Sequence, residues 1–299
     1  MWYINFMIYV ICGPTGSGKT KASLEIASFL HAPIINADAF QIYQNMDIGT
    51  AKIAKDNPFY SNHYLLDIVT PESTFSVKQY QDIFRKTVDE LRNKYSDIVV
   101  IGGTGLYIKA SLFDFDFENN SKEESDDLET KTNEELWNIL TNLDPKSLDN
   151  LHQNNRKRVI RAIRIAKYHT LNKSTNIEMQ SHEIIYQDVR ILFINPPREE
   201  LYNRINLRVE EMIANGLVDE VRGLLKKYQL SLTASQAIGY KEIIAYLNNE
   251  ITLEEAKELI KKRTRNYAKR QVTYFKHQFQ TEEFLNEHDL IEAVKKHEK

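Results

Sequence analysis

The stretch that decides the fold is Met7-Ile8-Tyr9-Val10-Ile11-Cys12, followed directly by Gly13-Pro14-Thr15-Gly16-Ser17-Gly18-Lys19-Thr20. The first six residues form an apolar run that is typical of a buried strand. The next eight fit the pattern G-x-x-x-x-G-K-[ST] of a phosphate-binding loop, in which backbone N–H groups and a helix N-terminus point at the anion. Lys19 supplies a positive charge and the Thr20 hydroxyl is a ligand for Mg²⁺. We therefore predict a phosphate site, and the loop alone leaves open whether a nucleotide carries the phosphates.

Strand and helix patterns alternate on both sides of this loop. The patterns predict strands over 33–37, 97–101 and 188–194, and helices over 18–31 and 76–95. Such alternation indicates an α/β fold, a P-loop NTPase-like parallel sheet flanked by helices. Residues 113–187 interrupt it as an inserted, mostly helical domain, with helices predicted over 133–140 and 154–169. The core domain is then residues 1–112 plus 188–299, and helices fill its C-terminal part from residue 198 onward.

Two polar residues follow predicted strands. Asp38 comes directly after 33–37, and Thr104 lies in the Gly102–Gly105 segment after 97–101. Ligands of open α/β sheets bind at the carboxyl ends of the strands, so both residues are expected beside the phosphate loop. Asp38 is a candidate metal ligand or general base, or else a turn or helix-cap aspartate. Thr104 could donate to a ligand or cap the next helix. The 97–101 strand ends in glycines rather than an aspartate, which disfavours ordinary nucleotide hydrolysis.

The charge is segregated along the chain. The 299 residues include 39 Lys and Arg against 42 Asp and Glu, a net of −3 that argues against a generic nucleic-acid binder. However, 118–135 is strongly acidic, and two stretches, 154–173 and 261–276, are basic without a single acidic residue. Solvated helix faces are the plain interpretation of such runs. Two long basic stretches in a net-acidic chain nevertheless favour a polyanionic partner. Tyr267 and Tyr274, in the second stretch, are expected in the core.

Composition narrows the class of protein further. Cys12 is the single cysteine, which excludes an intramolecular disulfide framework and a cysteine-based zinc site and fits a reducing compartment such as the cytoplasm. No stretch approaches 18 consecutive apolar residues, so no membrane span is expected. The apolar N-terminus lacks a basic start and a small-residue cleavage site, and we interpret it as the strand before the loop rather than as a signal peptide. We expect a cytoplasmic monomer.

The segment from Asn36 to Lys52 resembles the second motif of the tRNA dimethylallyltransferases, also called tRNA isopentenyltransferases. The phosphate loop and four further segments resemble that family in the same order: Gly102–Tyr107, Asn154–Ala162, Ala237–Glu242 and Arg265–Gln271. The sequence departs from the family's usual residues at four positions: Gly16, Ala39, Phe40 and Tyr274. Ala39 stands where the family usually has a serine, and the resemblance implies that this change removes a hydroxyl contact to the target base.

The resemblance implies transfer of a dimethylallyl group from dimethylallyl diphosphate to the exocyclic amine of adenosine 37 in tRNAs that read codons beginning with U. The loop Gly13–Thr20 would then bind diphosphate, with Mg²⁺ on Thr20. Asp38, Thr104, Lys19 and Arg208 would be catalytic, with Asp38 as the base and Arg208 directed at the diphosphate. From spacing alone, Arg204 and Arg208 form a pair on one helix face that could equally be solvated. The residues implied in tRNA binding are Asp38, Ala39, Phe40, Gln41, Thr104, Lys157, Arg158, Val159, Ile160 and Arg161.

Two other functions use the same loop. A small-molecule or nucleoside kinase would bind ATP there, and a non-catalytic RNA-binding ATPase would need no second substrate. The missing strand-end aspartate and the two basic stretches disfavour the kinase. The Asp38 motif disfavours the binding module.

Overall fold

The computed structural model describes residues 6–114, 126–168 and 183–298. The chain divides into two compact units: Met1–Leu112 together with Tyr186–Lys299, and Phe113–Ile185. The sequence placed the return to the core at residue 188, two residues later. Several residues of the charged stretches lie outside the described residues: Glu118, Glu123, Glu124 and Lys173.

One parallel sheet organises the first unit. Its strands are β1 (Met7–Cys12), β2 (Ile34–Asn36), β3 (His63–Tyr64), β4 (Asp97–Gly102), β5 (Asp188–Ile194) and β6 (Glu282–Phe284). Their order across the sheet is β3-β2-β4-β1-β5-β6, and every pairing is parallel. The phosphate-loop strand β1 is therefore central, which explains why its sequence is apolar on both faces. The predicted α/β class is confirmed. The short strands β3 and β6 were not predicted, because β3 has two residues and β6 is mostly charged, so neither shows the apolar run that indicated β2.

The α-helices follow the sequence pattern closely. In chain order they are α1 (Lys19–Leu30), α2 (Val77–Leu91), α3 (Gly105–Leu112), α4 (Asn133–Leu143), α5 (Arg156–Tyr168), α6 (Arg198–Ala214), α7 (Leu217–Lys227), α8 (Leu232–Ser235), α9 (Tyr240–Leu247), α10 (Leu253–Gln278) and α11 (Glu287–His297). Helices α2, α4 and α10 each begin with a capping box, built on Ser76, Thr132 and Thr252. In each box a hydroxyl and a Gln or Glu three residues later satisfy backbone N–H groups that a helix N-terminus leaves unpaired. Among the described residues, no helix combines the length and apolarity that crossing a membrane requires.

Two apolar clusters position the functional elements of the first unit. One joins β1 and β5 to α1 and α11, with Ile26 and Leu290 fully buried between them. The other packs the segment after β2, through Ile42, Tyr43 and Met46, against helices α6 to α10. The C-terminal helices therefore cover the carboxyl edge of the sheet near the phosphate loop.

The second unit has its own small core. Helices α4 and α5 pack through Leu136 and Leu140 on one side and Val159 and Ile163 on the other, all fully buried.

Candidate active site

The phosphate-binding loop has the backbone conformation that its glycines permit. Gly16 and Gly18 adopt φ angles of 82° and 94°, in the left-handed region that residues with a side chain rarely occupy. Helix α1 begins at Lys19, directly after this turn, so its free N–H groups lie at the loop. The Lys19 Nζ donates to the carbonyl oxygen of Pro14 at 2.7 Å, which holds the ammonium group over the loop.

A cavity opens beside this loop in the first unit. Most of its lining comes from five places in the sequence: the loop, the segment after β2, the end of β4, helix α6 and helix α10. The lining includes Thr15, Lys19, Thr20, Asp38, Phe40, Gln41, Gly49, Thr50, Gly103, Arg208, Tyr267 and Gln271. Of the predicted catalytic residues, Lys19, Asp38 and Arg208 thus meet in one cavity.

The charges in this cavity affect one another. Burial and the nearby Arg208 cation lower the pKa of Lys19 to about 8, while Asp38 acts in the opposite direction. Burial also lowers the pKa of Arg208, again against the effect of Asp38. Two cations and one carboxylate therefore share an enclosed space that lacks a second anion among its described lining residues. Such a site favours an anionic ligand, because the ligand would relieve the repulsion between the two cations.

Asp38 is a turn aspartate that also lines the cavity. Its Oδ1 accepts hydrogen bonds from the backbone N–H groups of Phe40, at 2.9 Å, and Gln41, at 3.4 Å. These bonds hold the carboxylate in a tight turn after β2, and the hydrogen bonds it accepts from described residues all go to this one oxygen. The carboxylate also lines the cavity. It is therefore a carboxylate that the turn holds in a defined orientation at the cavity wall.

Thr104 stabilises this turn by hydrogen bonds to its backbone. Its Oγ1 accepts from the N–H of Ala39 at 3.0 Å, and its own N–H donates to the carbonyl of Ala37 at 3.3 Å. Its carbonyl accepts from the N–H groups of Tyr107 and Ile108, so it also caps α3. Both Thr104 and Ala39 lie outside the set of described residues that line the cavity, whereas Phe40 and Gln41 belong to it.

The two arginines of α6 have different surroundings. Arg204 forms ion pairs with Glu200, at 2.5 Å, and Glu287, at 3.7 Å. Arg208, one turn later, lines the cavity. The interpretation of both as solvated arginines is therefore wrong for Arg208.

Two residues for which the sequence predicted no role connect the segments of the cavity wall by hydrogen bonds. The buried Gln271 of α10 accepts from the N–H of Thr15 at 3.0 Å and donates to the carbonyl of Gly103 at 2.8 Å. Glu220 of α7 accepts from three successive N–H groups, those of Asp47, Ile48 and Gly49, at 2.7–3.2 Å. Glu220 lies in no recognisable motif, and Gln271 only ends the Arg265–Gln271 segment; the role of each was not predicted, because each acts on backbone groups far away in the chain.

Tyr267 is enclosed, as expected for a core tyrosine, yet it faces the cavity. Burial and the Asp38 charge raise the pKa of its hydroxyl to about 12. Tyr267 is therefore a neutral hydrogen-bonding group close to the carboxylate.

In helix α5, which is predicted to bind tRNA, the implied contact residues differ in exposure. Lys157, Arg158 and Arg161 are exposed, but Val159 and Ile160 are 0% and 3% exposed in the core of the second unit. The side chains of Val159 and Ile160 pack against α4, so their implied contact with tRNA stays a prediction that only their backbone could fulfil.

Two other cations of the 154–173 stretch form hydrogen bonds and ion pairs within the second unit. Arg156 donates to the carbonyls of Leu128 and Glu129, and Arg164 forms a two-pronged ion pair with Asp126 at 2.9 and 3.0 Å. Part of the acidic segment is thus neutralised by the basic helix.

The described residues contain no group of three or more His, Cys, Asp or Glu side chains placed to hold a metal ion. Mg²⁺ bound with a phosphorylated substrate needs only one or two protein ligands, because phosphate oxygens and water complete its shell. The exposed Thr20 hydroxyl, beside Lys19 in the cavity wall, fits that requirement.

The sheet is parallel and carries the phosphate loop on its central strand, and the adjoining cavity holds one carboxylate and two cations. These features define the class: a P-loop protein that acts on a phosphorylated substrate. The profile of one family, IPP transferase, matches residues 41–278. The chain belongs to the IPP transferase family.

Individual relatives agree with this family. A tRNA dimethylallyltransferase of Bacillus mycoides is 42% identical over 277 residues, which cover 90% of this chain and 86% of the relative. The structure of the tRNA isopentenylpyrophosphate transferase of Bacillus halodurans matches with a TM-score of 0.72 and 33% identity, over 97% of this chain and 95% of the other. A eukaryotic dimethylallyltransferase solved acting on tRNA matches with a TM-score of 0.79 and 25% identity, over 90% of this chain and 69% of the other.

Proposed function

We propose that this protein is a tRNA dimethylallyltransferase. It transfers the dimethylallyl group of dimethylallyl diphosphate to the exocyclic amine of adenosine 37, in tRNAs that read codons beginning with U. The observation that carries the proposal is the cavity in which the oriented carboxylate of Asp38 faces the phosphate loop, Lys19 and Arg208. The family membership and the names of the relatives support the same reaction. The cytoplasm is its expected location, because it holds the tRNA.

The loop and its cations receive the diphosphate end of the donor. Backbone N–H groups of Gly13–Thr20, the Lys19 ammonium and the Arg208 guanidinium supply hydrogen bonds and positive charge. Thr20 would hold Mg²⁺ there, and the ion when bound neutralises charge on the leaving diphosphate. These groups stabilise the negative charge that grows on the diphosphate oxygen as the carbon–oxygen bond breaks.

Asp38 acts on the other substrate. The adenine nitrogen attacks the allylic carbon, the electron pair of the carbon–oxygen bond leaves with the diphosphate, and a proton of the amine passes to the Asp38 carboxylate. The hydrogen bonds from Phe40 and Gln41 orient that carboxylate. Thr104 positions the turn through Ala39. Phe40 stacks on a base of the flipped segment, and Gln41 lines its path.

The second unit would bind the anticodon stem-loop through the exposed cations Lys157, Arg158 and Arg161. Replacing both Arg158 and Arg161 with glutamine should weaken tRNA binding and reduce its salt dependence, since each lost phosphate contact lowers the slope by about 0.7–0.9. An unchanged slope would place the tRNA site elsewhere.

The decisive assay is direct. The protein is incubated with dimethylallyl diphosphate, Mg²⁺ and an unmodified tRNA transcript, and the tRNA is digested and weighed by mass spectrometry. One adenosine should gain the prenyl mass. Phosphoryl transfer from ATP without prenyl transfer would instead support a kinase.

Asp38→Asn tests the base within the same assay. The isosteric amide keeps an oxygen for the N–H groups of Phe40 and Gln41 but cannot take the proton at neutral pH. Transfer should fall by at least ~100-fold, the usual contribution of a general base, while tRNA affinity changes little. Asp82→Asn, which removes an exposed carboxylate paired with Lys78 on α2, is the matched control. Wild-type transfer by the Asp38 variant would refute the assignment.

A further inference from the structure

Two helices of the first unit contact the glycines of the phosphate loop. Ile205 of α6 lies against Gly16, where a Cβ built on the glycine would come within 3.2 Å of the isoleucine side chain. Glu287, the first residue of α11, lies against Gly18, where a Cβ would come within 2.8 Å of the carboxylate oxygen Oε2. An apolar neighbour is ordinary packing, but a carboxylate against a loop built to bind anions needs a separate explanation.

The Glu287 carboxylate is only partly neutralised. Its Oε2 is buried and accepts no hydrogen bond from the described residues. Its ion pairs are long, 3.7 Å from Oε2 to Arg204 and 3.6 Å from Oε1 to Lys21. Arg204 also pairs with Glu200, and the Lys21 side chain is 64% exposed to solvent. Because burying a carboxylate oxygen without a hydrogen bond costs free energy, packing alone would favour a neutral side chain at this position.

Glu287 and a bound diphosphate act on the same positive end of a helix. Gly18 directly precedes α1, whose dipole and free N–H groups attract an anion to the loop. Lys19 and Thr20 line the cavity in which that anion binds, whereas Glu287 lies outside the described residues that line it. The carboxylate therefore repels the ligand through the loop without contacting it.

This repulsion acts more strongly on the product than on the donor. When the carbon–oxygen bond breaks, its electron pair stays on the diphosphate and the proton of the amine passes to Asp38. The diphosphate therefore carries one more negative charge as it forms than it carried as the ester. A fixed anion at the loop destabilises the more highly charged species more. It thus opposes the tight grip that Lys19 and Arg208 would otherwise keep on the product.

Resting on the proposed function, we propose that Glu287 lowers the affinity of the phosphate loop for diphosphate and so speeds release of this product. Glu287 touches neither substrate, so it is not a catalytic residue. It acts through the charge that it places at Gly18, and its effect grows with the negative charge of the ligand.

The test measures the binding of inorganic diphosphate, with Mg²⁺, to the full-length protein by calorimetry. In Glu287→Gln the affinity should rise by about fivefold, the usual size of a charge effect at a helix N-terminus. Inhibition of the transfer reaction by diphosphate should strengthen by the same factor, while the KM for tRNA stays unchanged. A gain in affinity cannot arise from partial unfolding. Glu292→Gln is the matched control, since it removes a half-exposed carboxylate of the same helix, 3.9 Å from Lys295, and should leave diphosphate affinity unchanged.

Two further variants separate the charge of Glu287 from its packing. Glu287→Ala is also neutral and should show the same gain, so the result does not depend on a single variant. Glu287→Asp keeps the charge and should bind diphosphate less tightly than Glu287→Gln does. The proposal is overturned if neither neutral variant gains affinity, or if Glu287→Asp or Glu292→Gln gains as much as Glu287→Gln. Wild-type protein that binds diphosphate but transfers no prenyl group, with the gain present in both neutral variants, would refute the proposed function and leave the effect of Glu287 on diphosphate affinity intact.

Discussion

Gln271 offers the sharpest test of how the active site is assembled. Its side-chain amide joins the phosphate loop, at the N–H of Thr15, to the segment after β4, at the carbonyl of Gly103. Gln271→Met keeps the length of the side chain and removes both hydrogen bonds. Gly103 is buried, so its carbonyl would lose its protein partner and could be reached by water only from the cavity, while Thr15 is half-buried and more readily solvated. An unsatisfied buried group costs about 1–3 kcal/mol, and we therefore expect a loss of about 2 kcal/mol of unfolding free energy.

The effect on function should be larger than this loss suggests. Without the amide, nothing from Gln271 holds the phosphate loop at a defined distance from the segment that contains Thr104. Both segments position reacting groups, so a change in this distance affects the reaction. Misplacement by about 1 Å can cost 100-fold in rate, so kcat/KM for dimethylallyl diphosphate should fall by about 10- to 100-fold. The affinity for tRNA should stay within a factor of about two, well under 1 kcal/mol.

Gln271→Glu makes the prediction more specific. The carboxylate still accepts from Thr15, but it sets a negative oxygen against the carbonyl of Gly103 and adds an anion beside the diphosphate site. Although it is the more conservative change in shape, it should weaken donor binding more than Gln271→Met does. Steady-state kinetics with labelled donor, together with urea unfolding, measures both quantities.

Phe275→Leu is the stability control. Phe275 is fully buried on the same helix and packs on Phe193 and Phe279, away from the loops. Its truncation should cost about 1–2 kcal/mol without moving the phosphate loop. The reasoning fails if Phe275→Leu lowers kcat/KM as much as Gln271→Met does, or if the Glu variant binds donor as well as wild type.

Three further perturbations address other parts of the site. Because Lys19 has a pKa of about 8, donor affinity should fall about tenfold per pH unit above pH 8, and a flat profile from pH 7 to 9.5 would contradict it. Because the pKa of Lys19 is lower in the folded protein, the unfolded chain binds more protons than the folded chain between about pH 8 and pH 10.5. The contribution of Lys19 to the free energy of unfolding should therefore rise with pH across that window, which urea unfolding would measure. In the wild type, the Glu220 carboxylate accepts from three backbone N–H groups, and Glu220→Gln would turn an amide NH₂ toward some of them. The substitution should lower the free energy of unfolding by about 1–3 kcal/mol and speed hydrogen exchange at residues 47–49. Gly102→Ala would bring a Cβ within 2.2 Å of the Ala37 carbonyl oxygen, and a wild-type melting temperature and activity would disprove this close approach.

The sequence by itself determined the framework of this protein. An apolar run ending in G-x-x-x-x-G-K-T specifies a strand, a turn with left-handed glycines and a helix, because each step depends on neighbouring residues. The same locality made helices α2, α5 and α10 predictable from spacing. Asp38 and Lys19 could be placed at one edge because parallel strands end on one side of their sheet.

Only the tertiary structure decided which charges act on a ligand. Arg204 and Arg208 have the same local pattern, yet Glu200 and Glu287 neutralise the first while the second lines the cavity. Lys269 and Lys276 likewise differ only through Glu283, brought to Lys276 by β6. Gln271 and Glu220 act on backbone groups distant in the chain. Electrostatic and hydrogen-bonding partners of this kind depend on three-dimensional proximity, which local sequence does not encode.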